Sequence, residues 1–162
     1  MTRAQIQADF VREFHKGGPL VPVTKTELDA AERNLGVSFP EAYRAFMAVH
    51  GPVSTPSIPQ MAKEADVLPV VMIPSPEAAV TLTRTARQAG LKGSFVAFAC
   101  GPDTEIFCFE RNMEPSRPLD DAAVWHFDPQ FDVFLRVKDS FDEWLEEYLQ
   151  ECYMRDDSSD EG

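Results

Sequence analysis

The chain reads as a single α+β domain, on three observations. Capped amphipathic helices crowd residues 1–51, aromatic-rich strand pairs occupy 95–137, and an apolar-striped helix opens at Ser140. With 162 residues, 44% of them apolar, the chain is long enough to bury one core without disulfide staples.

The first helix is capped by Thr2 and buries Ile6, Phe10, Val11 and Phe14 at helical spacing, with Gly17-Gly18 to stop it. Pro19 and Pro22 make residues 19–23 a short extended link. Thr24-x-x-Glu27 is a capping box, in which a hydroxyl and a carboxylate satisfy each other's free amides. Leu28, Ala31 and Leu35 form the buried stripe behind it, and Gly36 supplies a left-handed stop. Ser38-x-x-Glu41 predicts a second box with Pro40 in the first turn, and Tyr43, Phe46 and Met47 facing inward before His50-Gly51.

Residues 52–66 read as a Pro-rich loop, and Val67–Ile73 as an edge strand weakened by Pro69. Ser75-Pro76-Glu77 opens a helix with Val80, Leu82 and Ala86 inward and Gly90 at its close. Phe95–Cys100 and Glu105–Glu110 flank a Gly101-Pro-Asp-Thr turn and are apolar on both faces, as in a strand covered on both sides. A polar loop over 112–122 follows. Val124–Asp128 and Phe131–Val137 form a second hairpin around Asp128-Pro-Gln, with Phe131, Val133, Leu135 and Val137 on one face. Ser140-x-x-Glu143 caps the last helix, whose Phe141, Trp144, Leu145, Tyr148, Leu149 and Cys152 make a full apolar stripe. Residues 155–162 are too acidic to bury anything and read as a mobile tail.

Charge separates the functional classes. Residues 1–60 are balanced and 61–99 carry +1, whereas 100–162 hold 18 of the 27 acids against five bases, net −13. Such asymmetry excludes a nucleic-acid ligand, which needs a basic footprint, and favours a basic protein partner or plain solubility. No apolar run approaches the ~20 residues that span a bilayer. The polar N-terminus lacks the apolar block of a secretory signal, and the three cysteines (Cys100, Cys108, Cys152) are too few for a disulfide framework. A cytoplasmic protein with reduced thiols is expected.

Nothing in the chain predicts catalysis, a metal or a cofactor. His15, His50 and His126 show no metal-ligand spacing, and nucleophile elbows, phosphate-binding glycine loops and dinucleotide fingerprints are absent. His15 and His50 sit at helix C-termini, where they offset the dipole. His126, between Trp125 and Phe127, fills a half-buried strand position and is the best of the poor acid–base candidates.

The acids are the candidate binding residues. The polar face of the last helix is Asp142, Glu143, Glu146, Glu147, Gln150 and Glu151, with no Lys or Arg among them. Its three like-charge i, i+4 pairs cost roughly 1 kcal/mol together. A solvated face kept acidic for solubility accounts for the helix by itself. Adding the acids of the β-rich third makes a partner surface the better reading: Asp103, Glu105, Glu114, Asp120, Asp121, Asp128 and Asp132, with Glu143 and Glu147 from the helix.

The run Thr26–Gly51, with its Leu35-Gly36 stop, Phe39-Pro40-x-x-Tyr43, Phe46 and terminal Gly51, closely resembles the N-terminal signature of the SUKH superfamily. Ile106-Phe-Cys-Phe, Val124-Trp-His-Phe-Asp128 and Asp139-Ser-Phe-Asp-Glu-Trp-Leu145 are similar to its later blocks, so the likeness covers roughly residues 24–150. His50 stands where an Asn usually precedes the glycine, and the Pro-rich loop at 52–59 is a further departure that offers a place for specificity. The resemblance implies an α+β fold with a mixed, mostly antiparallel sheet flanked by helices, and no catalytic signature. It divides the chain into a helix and link at 1–23, the domain at 24–154 and the tail at 155–162. Many bacterial members are immunity proteins against secreted toxins, often nucleases or deaminases; eukaryotic relatives are regulatory adaptors. The implied partner is therefore a cognate, basic toxin domain, with adaptor function as the alternative. A monomer is expected, because no exposed apolar stripe demands a dimer.

Overall fold

The computed structural model describes residues 1–55, 70–110 and 119–160, with 152–160 as backbone. Three helices come first: α1 (Arg3–Phe14), α2 (Lys25–Leu35) and α3 (Glu41–Val49). Strands β1 (Val53–Ser54) and β2 (Met72–Ile73) precede α4 (Pro76–Gln88). Strands β3 (Phe95–Cys100), β4 (Ile106–Glu110), β5 (Val124–Asp128) and β6 (Val133–Lys138) lead into α5 (Phe141–Asp160). The strands form one sheet in chain order, each antiparallel to the next. The α+β expectation holds, and no parallel pair makes the sheet mixed among the described residues.

Local chemistry explains most helix ends. Thr2 Oγ1 accepts from Gln5 N, and the Gln5 side chain accepts from Thr2 N in return. Thr24 Oγ1 accepts from Glu27 N at 3.2 Å, Ser75 Oγ accepts from Ala78 N at 3.1 Å, and Gly36 stops α2 at φ 65°. The box predicted at Ser38 is a correction. Pro40 is the cap of α3 and offers no side-chain acceptor. Glu41 N and Ala42 N instead donate to the carbonyls of Leu119 (2.8 Å) and Asp120 (2.9 Å), a cap brought from far along the chain.

The main core lies between one sheet face and α1, α3 and α5. Tyr43, Phe46, Phe98, Phe107, Phe109, Phe141 and Trp144 are all but completely buried there, with Phe98 stacked on Phe109 at 4.0 Å. Each large apolar side chain so buried contributes about 1.5–3 kcal/mol, so the stripe of α5 outweighs the like-charge cost on its outer face severalfold. The other sheet face carries Ala86 of α4 with Leu91, Phe95, Cys108 and Phe127, which covers the centre of the sheet on both sides as expected.

Two strand expectations change. The predicted strand over 67–73 survives as Met72–Ile73, with 67–69 outside the described residues, and it is not an edge: β1, read from sequence as loop, pairs with its outer side. The last strand starts at Val133 and not at Phe131. Asp132 takes a left-handed turn conformation (φ 53°), which removes Phe131 from the strand face and leaves it 66% exposed. The α5 backbone runs on to Asp160, into the segment read as a tail.

Candidate partner-binding surface

The predicted acids among the described residues fall into two groups at opposite ends of the β5–β6 hairpin. The register fixes this, since Asp128 faces Val133 at one end and Val124 faces Lys138 at the other. Strands of this length separate the groups by about 17–20 Å.

At the turn end, the β3–β4 and β5–β6 turns are tied together by Thr104. Its hydroxyl donates to Asp128 Oδ1 at 2.6 Å, and the same oxygen accepts from Gln130 N (3.0 Å) and Phe131 N (3.4 Å). Asp128 is buried, so it builds the turn and presents nothing to a partner. Glu105 is half-buried and accepts from Asp103 N at 2.9 Å. Asp103 and Asp132 are exposed and have no ion pair among the described residues, and Phe131 projects between the chain positions of Asp128 and Asp132.

At the other end, residues 119–122 organise the domain. The Leu119 and Asp120 carbonyls cap α3 as described. The Asp121 carboxylate caps α5: Oδ1 accepts from Phe141 N at 2.7 Å and Oδ2 from Asp142 N at 3.3 Å, while Ser140 Oγ takes Glu143 N at 3.1 Å. These three bonds satisfy the free amides of the first turn. Burial pushes the Asp121 carboxyl above its ordinary value, against the pull of the Phe141, Ala122 and Asp142 amides. Asp120 is 82% exposed but lies 2.7 Å from Arg3, which holds its carboxyl below the ordinary range. Arg3 also reaches Asp142 at 2.7 Å, and Gln7 donates to the same carboxylate at 3.0 Å.

The helix face that lacks bases of its own is thus partly neutralised from elsewhere. Arg3 pairs with Asp142, and Lys138 of β6 reaches Glu147 at 3.3 Å. Glu143 is exposed and free of ion pairs among the described residues. Glu114 and the loop beyond Thr55 lie outside the described residues. Of the nine predicted positions, Asp103, Asp132 and Glu143 present uncompensated charge, Asp120 and Glu147 are ion-paired, and Asp121 and Asp128 hold the fold. Sequence reasoning missed Arg3 as a counter-charge and the exposed apolar pair Phe131 and Leu135, the latter 47% exposed. The alternating pattern grouped Leu135 with Phe131, Val133 and Val137 on one face and could not show its exposure.

His15 accepts from Ser54 N at Nδ1 (3.3 Å) and donates from Nε2 to Gly18 O (2.8 Å), which ties α1 to β1. His126 is buried beside Phe107, its Nε2 without a hydrogen-bond partner among the described residues; burial lowers its pKa against the opposing charges of Asp128 and Glu105. Asp128 is committed to Thr104 and the turn amides, so no His–Asp dyad is poised here. Burial pushes the Cys108 thiol up to about 12 and raises Cys100 as well, so neither is a thiolate nucleophile at neutral pH. Among the described residues no cluster of three or more His, Cys, Asp or Glu could hold a metal ion, and no helix is long and apolar enough to cross a membrane.

The model of the SMI1 / KNR4 family (SUKH-1) matches residues 22–147. The chain belongs to this family. No curated protein sequence matches it. SUKH domains are generally non-catalytic proteins of immunity and regulation that work by binding. Their signature residues serve the fold in this chain. Gly36 and Gly51 have positive φ (65° and 82°), and a Cβ on Gly51 would lie 2.1 Å from Val21 O. Phe39, Tyr43 and Phe46 are core. These SUKH signature residues are accounted for by the fold.

Proposed function

We propose that this SUKH protein is an immunity protein, which binds a cognate secreted bacterial toxin and blocks it. The observation that carries the reading is the turn end of the sheet, where the uncompensated carboxylates Asp103 and Asp132 sit by an exposed Phe131. An aromatic side chain in a rim of one charge sign has the makings of an interface anchor, and the net −13 of residues 100–162 draws a basic surface toward it. A nuclease domain brings such a surface, because it must hold a phosphate backbone.

Co-expression with the toxin-like C-terminal domain encoded beside this gene tests the reading through rescue of growth. Failure of rescue sinks the immunity function, and capture of several endogenous proteins at modest affinity supports a regulatory adaptor in its place. The electrostatic part is tested on Asp103→Lys/Asp132→Asn, which leaves Asp121 and Asp128 intact and keeps at position 132 a residue type that tolerates its left-handed φ. Association should slow about tenfold or more at low ionic strength and converge with the parent at high salt. Equal rates at every salt concentration would refute it.

A further inference from the structure

Among the described residues the sheet has one unpaired edge. At the β1 end, Lys16 N already donates to Ser54 O at 2.9 Å. At the other end, β6 pairs with β5 alone, and the outward amides and carbonyls of Val133–Lys138 have no partner among the described residues. Open edges of this length are ordinarily blocked by proline, a bulge or an outward charge. The β5–β6 register slips between Val124 and Trp125, which places a bulge at Val137 and leaves Val133–Arg136 as the regular stretch of the edge. The two bases of β6 are paired locally, Arg136 with Asp139 at 2.9 Å and Lys138 with Glu147 at 3.3 Å.

The flanks of the edge select what can lie on it. The Lys138–Glu147 contact sets one face of α5 beside β6, and Glu143 lies one turn earlier on that face. Leu135 pairs with His126 in register and so lies on the α5 side of the sheet, half exposed. Asp132 and Phe131 lie at the start of the strand. A second copy of this chain, paired antiparallel at β6, would bring two acidic α5 faces together across the two-fold axis of a pair already carrying −12 each. The same charges welcome a basic chain.

From this edge we infer that β6 takes up an extended segment of the basic partner as a seventh strand, a step that rests on the immunity reading and names how its partner docks. Main-chain bonds to β6 supply affinity without sequence demands, and side chains two residues apart on the α5 side supply the selection. The residue opposite Leu135 is apolar, and those two positions to either side are Lys or Arg, near Asp132 at one end and Glu143 at the other.

The test uses the full chain and a seven-residue Thr-Lys-Thr-Val-Thr-Lys-Thr peptide, which sets Val and both Lys on one face, with amide hydrogen exchange as the readout. The expected result is at least tenfold slower exchange of the outward amides of Val133–Arg136, no effect from the peptide with Glu at both Lys positions, and at least fivefold weaker binding to Glu143→Lys. The same peptide N-methylated at every residue keeps its charge but cannot pair along either edge, and it should not bind. Leu135→Lys, exposed and safe for folding, should lose the peptide as well. Equal binding of the N-methylated peptide, protection away from β6, no change up to millimolar peptide, or protection that grows with protein concentration alone overturns the proposal. The last of these would mean that a second copy covers the edge. Growth rescue separates the two readings: if Leu135→Lys still neutralises the toxin at full affinity, the edge fails and immunity stands, whereas a parent that cannot rescue growth fails as an immunity protein whatever the peptide does.

Discussion

Removing the Asp121 carboxylate should destabilise the domain through α5, although sequence places this residue among the binding acids. Asp121→Ala strands Phe141 N and Asp142 N at the start of a helix whose first residue is fully buried, and it frees Ala122 N, now bonded at 2.7 Å. A hydrogen bond to a charged acceptor is worth about 1.5–3 kcal/mol, and the half-buried site keeps the two helix bonds near the low end, about 3 kcal/mol in all. For a domain of this size the melting temperature should fall by about 6–12 °C. Asp121→Asn retains one acceptor oxygen for Phe141 and Ala122, loses the Asp142 bond and should cost about 1 kcal/mol.

Urea unfolding of the two variants beside the parent measures these losses, with an unchanged slope showing that the denatured state is the same. The pH dependence adds a second readout. The folded carboxyl lies above its unfolded value near 3.8, so ionisation opposes folding. The parent should lose stability relative to Asp121→Asn as pH rises from the unfolded value through the folded one, and hold that difference above it. A cost for Asp121→Ala below about 0.5 kcal/mol, or equal costs for both variants, would refute the capping role.

Three further outcomes are expected. Gly51→Ala combines a left-handed φ with a backbone clash at Val21 and should cost about 3 kcal/mol or more, seen as a loss of about 6–12 °C in thermal unfolding. His126 has a folded pKa below its ordinary 6.5, so the contribution it makes to stability is lost as pH falls from 6.5 through the folded value. His126→Phe should flatten that decline in unfolding measured at pH 7.5 and 5.5, though only in part, since burial lowers His50 in the same direction. Asp132→Asn, which keeps the left-handed φ, should slow association with the proposed basic partner more than Asp120→Asn, because Arg3 already neutralises Asp120; stopped-flow rates at low salt that rank the other way would contradict the pairing.

What could be read from the sequence was local. Thr24, Glu27 and Gly36 act within one turn of their own helix, so their residue types announce them. The cap of α3 could not be read, because Pro40 has nothing to offer and the acceptors are carbonyls at Leu119 and Asp120. Strands of two residues, as in β1 and β2, are too short to show a period. Asp128 is the exception that carried a usable signal: Asp-Pro-Gln is a turn in which the aspartate bonds the amide two residues on, and this points inward.

Composition counts carboxylates, whereas an interface depends on those that remain unspent. Arg3 and Lys138 arrive from α1 and β6 to meet Asp120, Asp142 and Glu147, and the backbone of two turns and one helix consumes Asp121 and Asp128. Of the predicted positions among the described residues, those left unpaired are Asp103 and Asp132 at one end of β6 and Glu143 on α5. The whole −13 of residues 100–162 still sets the long-range field, which decides how fast a basic partner arrives. Within a Debye length of about 8 Å the unspent carboxylates dominate the local field, so the proposed docking at β6 predicts that charge changes there alter dissociation more than equal changes elsewhere.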